Sequence, residues 1–103
     1  NMPITEKQIT RADCLHEAEK CVCGKREQDY GKVEDNFSTI ARLWAVYLKA
    51  AVPGIELELA PVDVALMLSL LKIARIATGT ATADSFIDLA GYAACGCEIS
   101  TKL

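Results

Sequence analysis

An all-α fold, four helices packed as one compact domain, is what this sequence predicts, and three observations carry the expectation. Phe37, Ile40, Ala41, Trp44, Tyr47 and Leu48 recur at the i, i+3, i+4, i+7 spacing that places apolar side chains on one helical face. Only six residues are aromatic while Ala and Leu are frequent, a balance that favours helix over sheet. Turn-forming clusters at Asp29-Tyr30-Gly31, Pro53-Gly54 and Thr78-Gly79-Thr80 cut the chain into segments of helix length.

Taken in order, the first helix is expected over about residues 10–28, with Thr10 and Asp13 spaced as a capping box. Its apolar face reads Cys14, Leu15, Ala18, Cys21 and Val22, and Gly24 weakens it locally. The second is expected over about residues 35–49, started by Glu34 or Asp35 and carrying the face that begins at Phe37. Ile55 to Leu59 alternates apolar with acidic residues, so it is either a short extended segment or plain loop. Pro61 suits the first turn of a third helix, about residues 61–78, with Asp63 near its positive end. From Val64 to Ala77 that helix is apolar almost all round, which predicts a central position. Its polar exceptions, Ser69, Lys72 and Arg75, are three apart and form one stripe. A fourth helix, about residues 84–98, is capped by Asp84 or Thr82, with Phe86, Leu89, Ala90 and Ala93 as its core face. Asp84, Asp88, Tyr92 and Cys95 line another. No repeat or linker divides the 103 residues, so residues 1–103 read as a single domain.

Composition removes several classes of function. A net charge of −3 with scattered cations offers no phosphate-backbone footprint, so nucleic acid is not an expected partner. The run Val64 to Leu71 is too short for a bilayer, and Met2-Pro3-Ile4-Thr5-Glu6-Lys7 lacks the apolar core of a leader; a cytoplasmic protein without membrane contact is expected. An odd cysteine count in that context implies reduced thiols. Cys21-x-Cys23 and Cys95-x-Cys97 look like halves of a zinc site, but residues two apart on a helix point about 200° from each other, so zinc is not expected. His16 has no partner constellation for nucleophilic catalysis. No Gly-rich phosphate loop, zinc-protease motif or serine-hydrolase motif is present.

What remains is a set of polar residues on apolar helices. Lys72 and Arg75 are candidates for a phosphate grip, the lysine as a point charge and the arginine as a planar fork. Alternatively both pair with Asp63, Asp84 or Asp88, since a charge on an apolar helix must be paired or reach water. Asp88, with Asp29 or Glu34, offers the hard oxygen ligands that magnesium takes together with phosphate oxygens. Tyr30 and Asn36 are candidates for contacting a base.

Several blocks also resemble a family of small phage and prophage proteins of unknown function. They are Arg26-Glu27-Gln28-Asp29-Tyr30-Gly31, Asn36-Phe37, Ile40-Ala41-Arg42-Leu43-Trp44, Asp63-Val64-Ala65-Leu66-Met67, Lys72-Ile73-Ala74-Arg75 and Asp88-Leu89-Ala90-Gly91-Tyr92-Ala93. More distantly, the order of a D-Y-G turn, a K-x-x-R pair and a terminal D-L-A block is similar to phage nucleotide-modification-associated helical domains, with Gly91 where those carry Asn. More distantly still, the pattern resembles MazG-type all-α nucleotide pyrophosphohydrolases, although neither their E-x-x-E nor their E-x-x-D helix motif is intact here. Those resemblances imply a nucleotide or other phosphorylated small molecule, held with magnesium and bound or hydrolysed. The alternative is a non-enzymatic structural or interaction protein. The third helix is too apolar for three neighbours in so short a chain to cover, so a helical homo-oligomer is expected.

Overall fold

A computed structural model describes residues 8–24, 28–29, 31–79 and 82–101 of the chain. The described residues form four helices, α1 (Arg11–Val22), α2 (Val33–Ala51), α3 (Pro61–Thr78) and α4 (Ala83–Ser100), and contain no strand. The expected all-α class is therefore the observed one.

Helix α1 starts as expected. The Asp13 amide donates to Thr10 Oγ1 at 3.1 Å, and the Thr10 amide donates back to Asp13 Oδ2 at 3.4 Å. It ends six residues earlier than expected, because Cys23 is extended and Gly24 adopts φ +64°, a left-handed conformation that suits glycine. Helix α2 begins at Val33, two residues before the expected start, and runs on to Ala51. Its N-cap is Lys32, whose side chain makes no capping bond; Glu34 and Asp35 instead supply negative charge in the first turn. Helix α3 has the expected bounds, with Pro61 first and the Ala60 amide donating to Asp63 Oδ2 at 2.8 Å. In α4 neither expected cap operates. Thr82 holds the N-cap position without a side-chain bond, and Asp84 lies inside the helix as its second residue. The segment before α3 is irregular, yet Ile55, Leu57 and Leu59 are half-buried while Glu56 and Glu58 are exposed, so the alternation was a burial pattern without a ladder.

The core is small. Phe37 is completely buried among Val33, Ala41, Val64, Ala65 and Cys95, with Val22, Ile40, Trp44, Leu59, Leu68, Tyr92 and Ile99 packed round them. The α3–α4 interface is the most extensive; α1 lies on α4 and α2 mainly on α3. Glycine permits the close approaches. A Cβ at Gly91 would stand 2.9 Å from Val22 Cγ1 of α1, and one at Gly96 would stand 3.4 Å from Ala65 Cβ of α3.

Three expected faces are corrected by this packing. The buried residues of α4 are Ser85, Ile87, Gly91 and Cys95 rather than the row beginning at Phe86, which is half-exposed, because α4 is held between α1 on one side and α3 on another. In α1 the buried line is Cys14, Ala18 and Val22, and Leu15 and Cys21 face outward. In α2 the row from Phe37 to Leu48 is right except at Tyr47, which is 69 % exposed. The position of α3 also differs from the expectation. Helix α4 touches all three others, while α3 packs against α2 and α4 and leaves Leu66, Met67, Leu70, Leu71 and Ile73 exposed.

With Phe37 filling the centre of so small a core, Phe37→Ala is expected to cost about 3–5 kcal/mol, read as a lowered midpoint in urea or thermal unfolding. An unchanged midpoint would mean that the Phe37 cluster does not hold the fold.

Candidate functional site

The strongest polar feature is an ion pair between α3 and α4. Lys72 Nζ lies 2.9 Å from Asp88 Oδ2, a charge-assisted hydrogen-bond distance. The lysine side chain is only 12 % exposed and the aspartate 37 %, so the pair closes the helix interface with the carboxylate on its wet side. Of the three aspartates that could have served Lys72, the fold selects Asp88. Asp63 is occupied at the α3 N-terminus and Asp84 is exposed at the start of α4. Lys72 sits on an apolar helix and would be costly unpaired; Asp88 removes that cost.

The rest of the polar stripe does not act as a unit. Ser69 is half-buried and donates to the Ala65 carbonyl at 2.8 Å, the ordinary bond of a serine within a helix. The Arg75 side chain is exposed and makes no ion pair or hydrogen bond among the described residues. Tyr92 is half-buried and lines an apolar groove of about 420 Å³ between α3 and α4, with Val62, Leu66, Ser69, Leu89 and Gly96.

Of the candidate metal ligands, Asp29 is exposed just before Gly31, which takes φ +74°. Glu34 and Asn36 are partly buried in the first turn of α2 and already have interactions of their own. That turn packs at the level of Cys95, since Val33 and Cys95 line one small cavity, and Asp88 lies two turns away along α4, about 10 Å at 1.5 Å per residue. Among the described residues no three or more His, Cys, Asp or Glu side chains are grouped to hold a metal ion, so Asp29, Glu34 and Asp88 are not brought together as a ligand set. Tyr30 lies outside the described residues.

The cysteines are all unbridged. Cys95 is buried, Cys14 is half-buried, and Cys21, Cys23 and Cys97 are exposed. Cys95 and Cys97 lie two apart within α4 and so point to different sides of it, while Cys23 is the extended C-cap of α1. No helix among the described residues is long and apolar enough to cross a membrane.

One feature that sequence reasoning took for core is surface. The apolar residues of α3 beyond its α4 contact face outward, and nothing charged interrupts them, because Lys72 turns inward. The sequence carried no signal for this, because a helix apolar almost all round meets the apolar spacing on every face.

Fold and site together define an all-helical domain with an ion pair closed between α3 and α4 and a large uncovered apolar face on α3. The chain belongs to the family described as a domain of unknown function (DUF6378), which it matches over residues 13–100. It is similar to the Gene 55 protein of Mycobacterium phage L5, with 42 % identity over 79 residues covering 77 % of this chain and 47 % of that protein. The Gene 55 protein of Mycobacterium phage D29 is 41 % identical over 81 residues, covering 79 % of this chain and 49 % of the relative. The chain thus spans about half the length of these curated relatives. No solved structure matches it.

The two partners of the ion pair are expected to respond unequally. Asp88→Asn strands a nearly enclosed ammonium and should lower stability by about 1–2 kcal/mol, discounted from a fully buried pair because Asp88 still meets water. Lys72→Met leaves a carboxylate that water can solvate and should cost less. Chemical denaturation of both variants orders them, and the reverse order would contradict the burial described here.

Proposed function

We propose that this chain is a non-enzymatic structural or interaction protein that works as a helical homo-oligomer. The uncovered face of α3 carries the reading. Leu70 is 62 % exposed, and Leu66, Met67, Leu71 and Ile73 lie beside it on the same helix. Contiguous apolar surface of this kind marks a site of protein contact when a few hundred Å² or more stand open on a globular domain. Helix α2 adds Leu43, Val46 and Tyr47, all exposed. The pairing of Lys72 with Asp88 supports the same reading, because the cation best placed for a ligand is already satisfied.

Sedimentation or light scattering across a range of concentrations tests this. The expected result is a mass at a multiple of the 11.1 kDa chain. A monomer throughout the micromolar range would overturn the proposal.

A second reading, a nucleotide or other phosphorylated small molecule bound with magnesium, is favoured by one observation. Arg75 is exposed without an ionic partner among the described residues, one turn from Lys72. The resemblance of the D-Y-G, K-x-x-R and D-L-A blocks to phage nucleotide-modification-associated and MazG-type domains supports it. In this reading Lys72 and Arg75 hold phosphate, Asp88 offers magnesium one carboxylate beside phosphate oxygens and water, and Tyr30 or Asn36 meets the base. The reading expects a nucleotide at a hundred times its Kd to stabilise the fold by about 2.7 kcal/mol. Arg75→Ala should abolish that effect in a thermal-shift screen run with and without magnesium. A flat screen on folded protein removes this reading and leaves the first intact.

A further inference from the structure

We propose that the partner of α3 is the α3 of a second copy, packed antiparallel across a two-fold axis, with Leu66 opposite the partner's Ala77 and Leu70 opposite the partner's Ile73. This rests on the homo-oligomer reading above and specifies its interface.

Leu66, Leu70, Ile73 and Ala77 are all exposed, and their four–three–four spacing matches the alternating positions of a two-helix seam. Beside them run Met67 and Ala74, also exposed. In a soluble coiled coil the flanking positions carry charges, but here they are apolar too, so the seam is wider than a bare two-stranded one. On the other flank Val62 and Ser69 already line the groove with α4, which would put α3 and α4 of both copies into one four-helix arrangement. The helix carries three charges: Asp63 at its start, Arg75 near its end, and Lys72, which is withdrawn against Asp88. From Leu66 to Ala77 no charge therefore stands on the seam; Asp63, one step before Leu66 in the same register, is held at the helix start by the Ala60 amide.

Area and shape select both occupant and direction. Leu66, Met67, Leu70 and Ile73 at roughly 100 Å² apiece, with Ala74 and Ala77 beside them, give on the order of 500 Å² of apolar surface. A homodimer that buries about 800 Å² per partner, some 65 % of it apolar, needs about that much. A self-complementary patch is what two-fold symmetry requires. Parallel pairing would set Ala77 against the partner's Ala77 and leave that end thin, while antiparallel pairing sets the bulky Leu66 against the small Ala77 at both ends. It also opposes the two helix dipoles.

Complementary charges decide it, in Leu70→Glu, Ile73→Lys and Leu70→Lys chains, each confirmed folded by circular dichroism. Both sites are exposed in the isolated chain. Each variant alone is expected to self-associate at least tenfold more weakly in sedimentation, since every dimer then buries two unpaired charges. An equimolar mixture of Leu70→Glu with Ile73→Lys should recover a dimer. In the antiparallel seam the introduced glutamate of one chain meets the introduced lysine of the other, and the remaining contact is the native one between Ile73 and Leu70. A mixture of Leu70→Glu with Leu70→Lys should not recover. Recovery in the second mixture instead of the first would overturn the antiparallel seam. Unweakened association of Leu70→Glu would overturn any α3 seam while leaving an oligomer built elsewhere. A monomeric native chain would instead strike at the homo-oligomer reading itself.

Discussion

An apolar helix is stable in water only where other apolar surface covers it, and in this molecule the cover runs out. Helix α3 packs one side against α4 and part of another against α2. The other three helices leave Leu66, Leu70 and Ile73 exposed. The rest of the architecture depends on how that shortage is met. Gly91 and Gly96 bring α1 and α3 tightly onto α4, and Phe37 plugs the junction of α2, α3 and α4.

The same constraint explains the ion pair. A lysine in the middle of an apolar helix either reaches water or finds a carboxylate. On α3 the outward direction is the apolar face, so Lys72 points the other way and meets Asp88 at the edge of the α3–α4 interface. The arrangement keeps the Lys72 ammonium off the exposed face of α3. Arg75, near the end of α3, faces solvent. Two cations three residues apart thus have different environments, although their spacing suggested a shared task.

Much of this was legible in the residues themselves. The helical class, the bounds of α3, the Thr10–Asp13 box and most of the α2 face follow from local periodicity and capping chemistry, which act within a few residues. Asp88 was among the candidate partners of Lys72, but choosing it over Asp63 and Asp84 needed the packing of α4 on α3. The core face of α4 was misread at Phe86, because a helix touched from several directions buries small residues such as Gly91 and Cys95 where neighbours come close, and hydrophobicity does not mark them. Tyr47 failed for the opposite reason: it keeps the helical spacing of its row, but no neighbouring helix reaches it.

By itself, then, the sequence determined the number and kind of helices and where each begins within a few residues, because dihedral preference, capping and apolar period are local properties. Tertiary structure alone decided which faces are covered, which aspartate neutralises Lys72, and that Asp29, Glu34 and Asp88 stand apart. These depend on distances between residues far apart in the chain. Periodicity shows that a face is apolar; it takes the packed neighbours to show whether that face is inside.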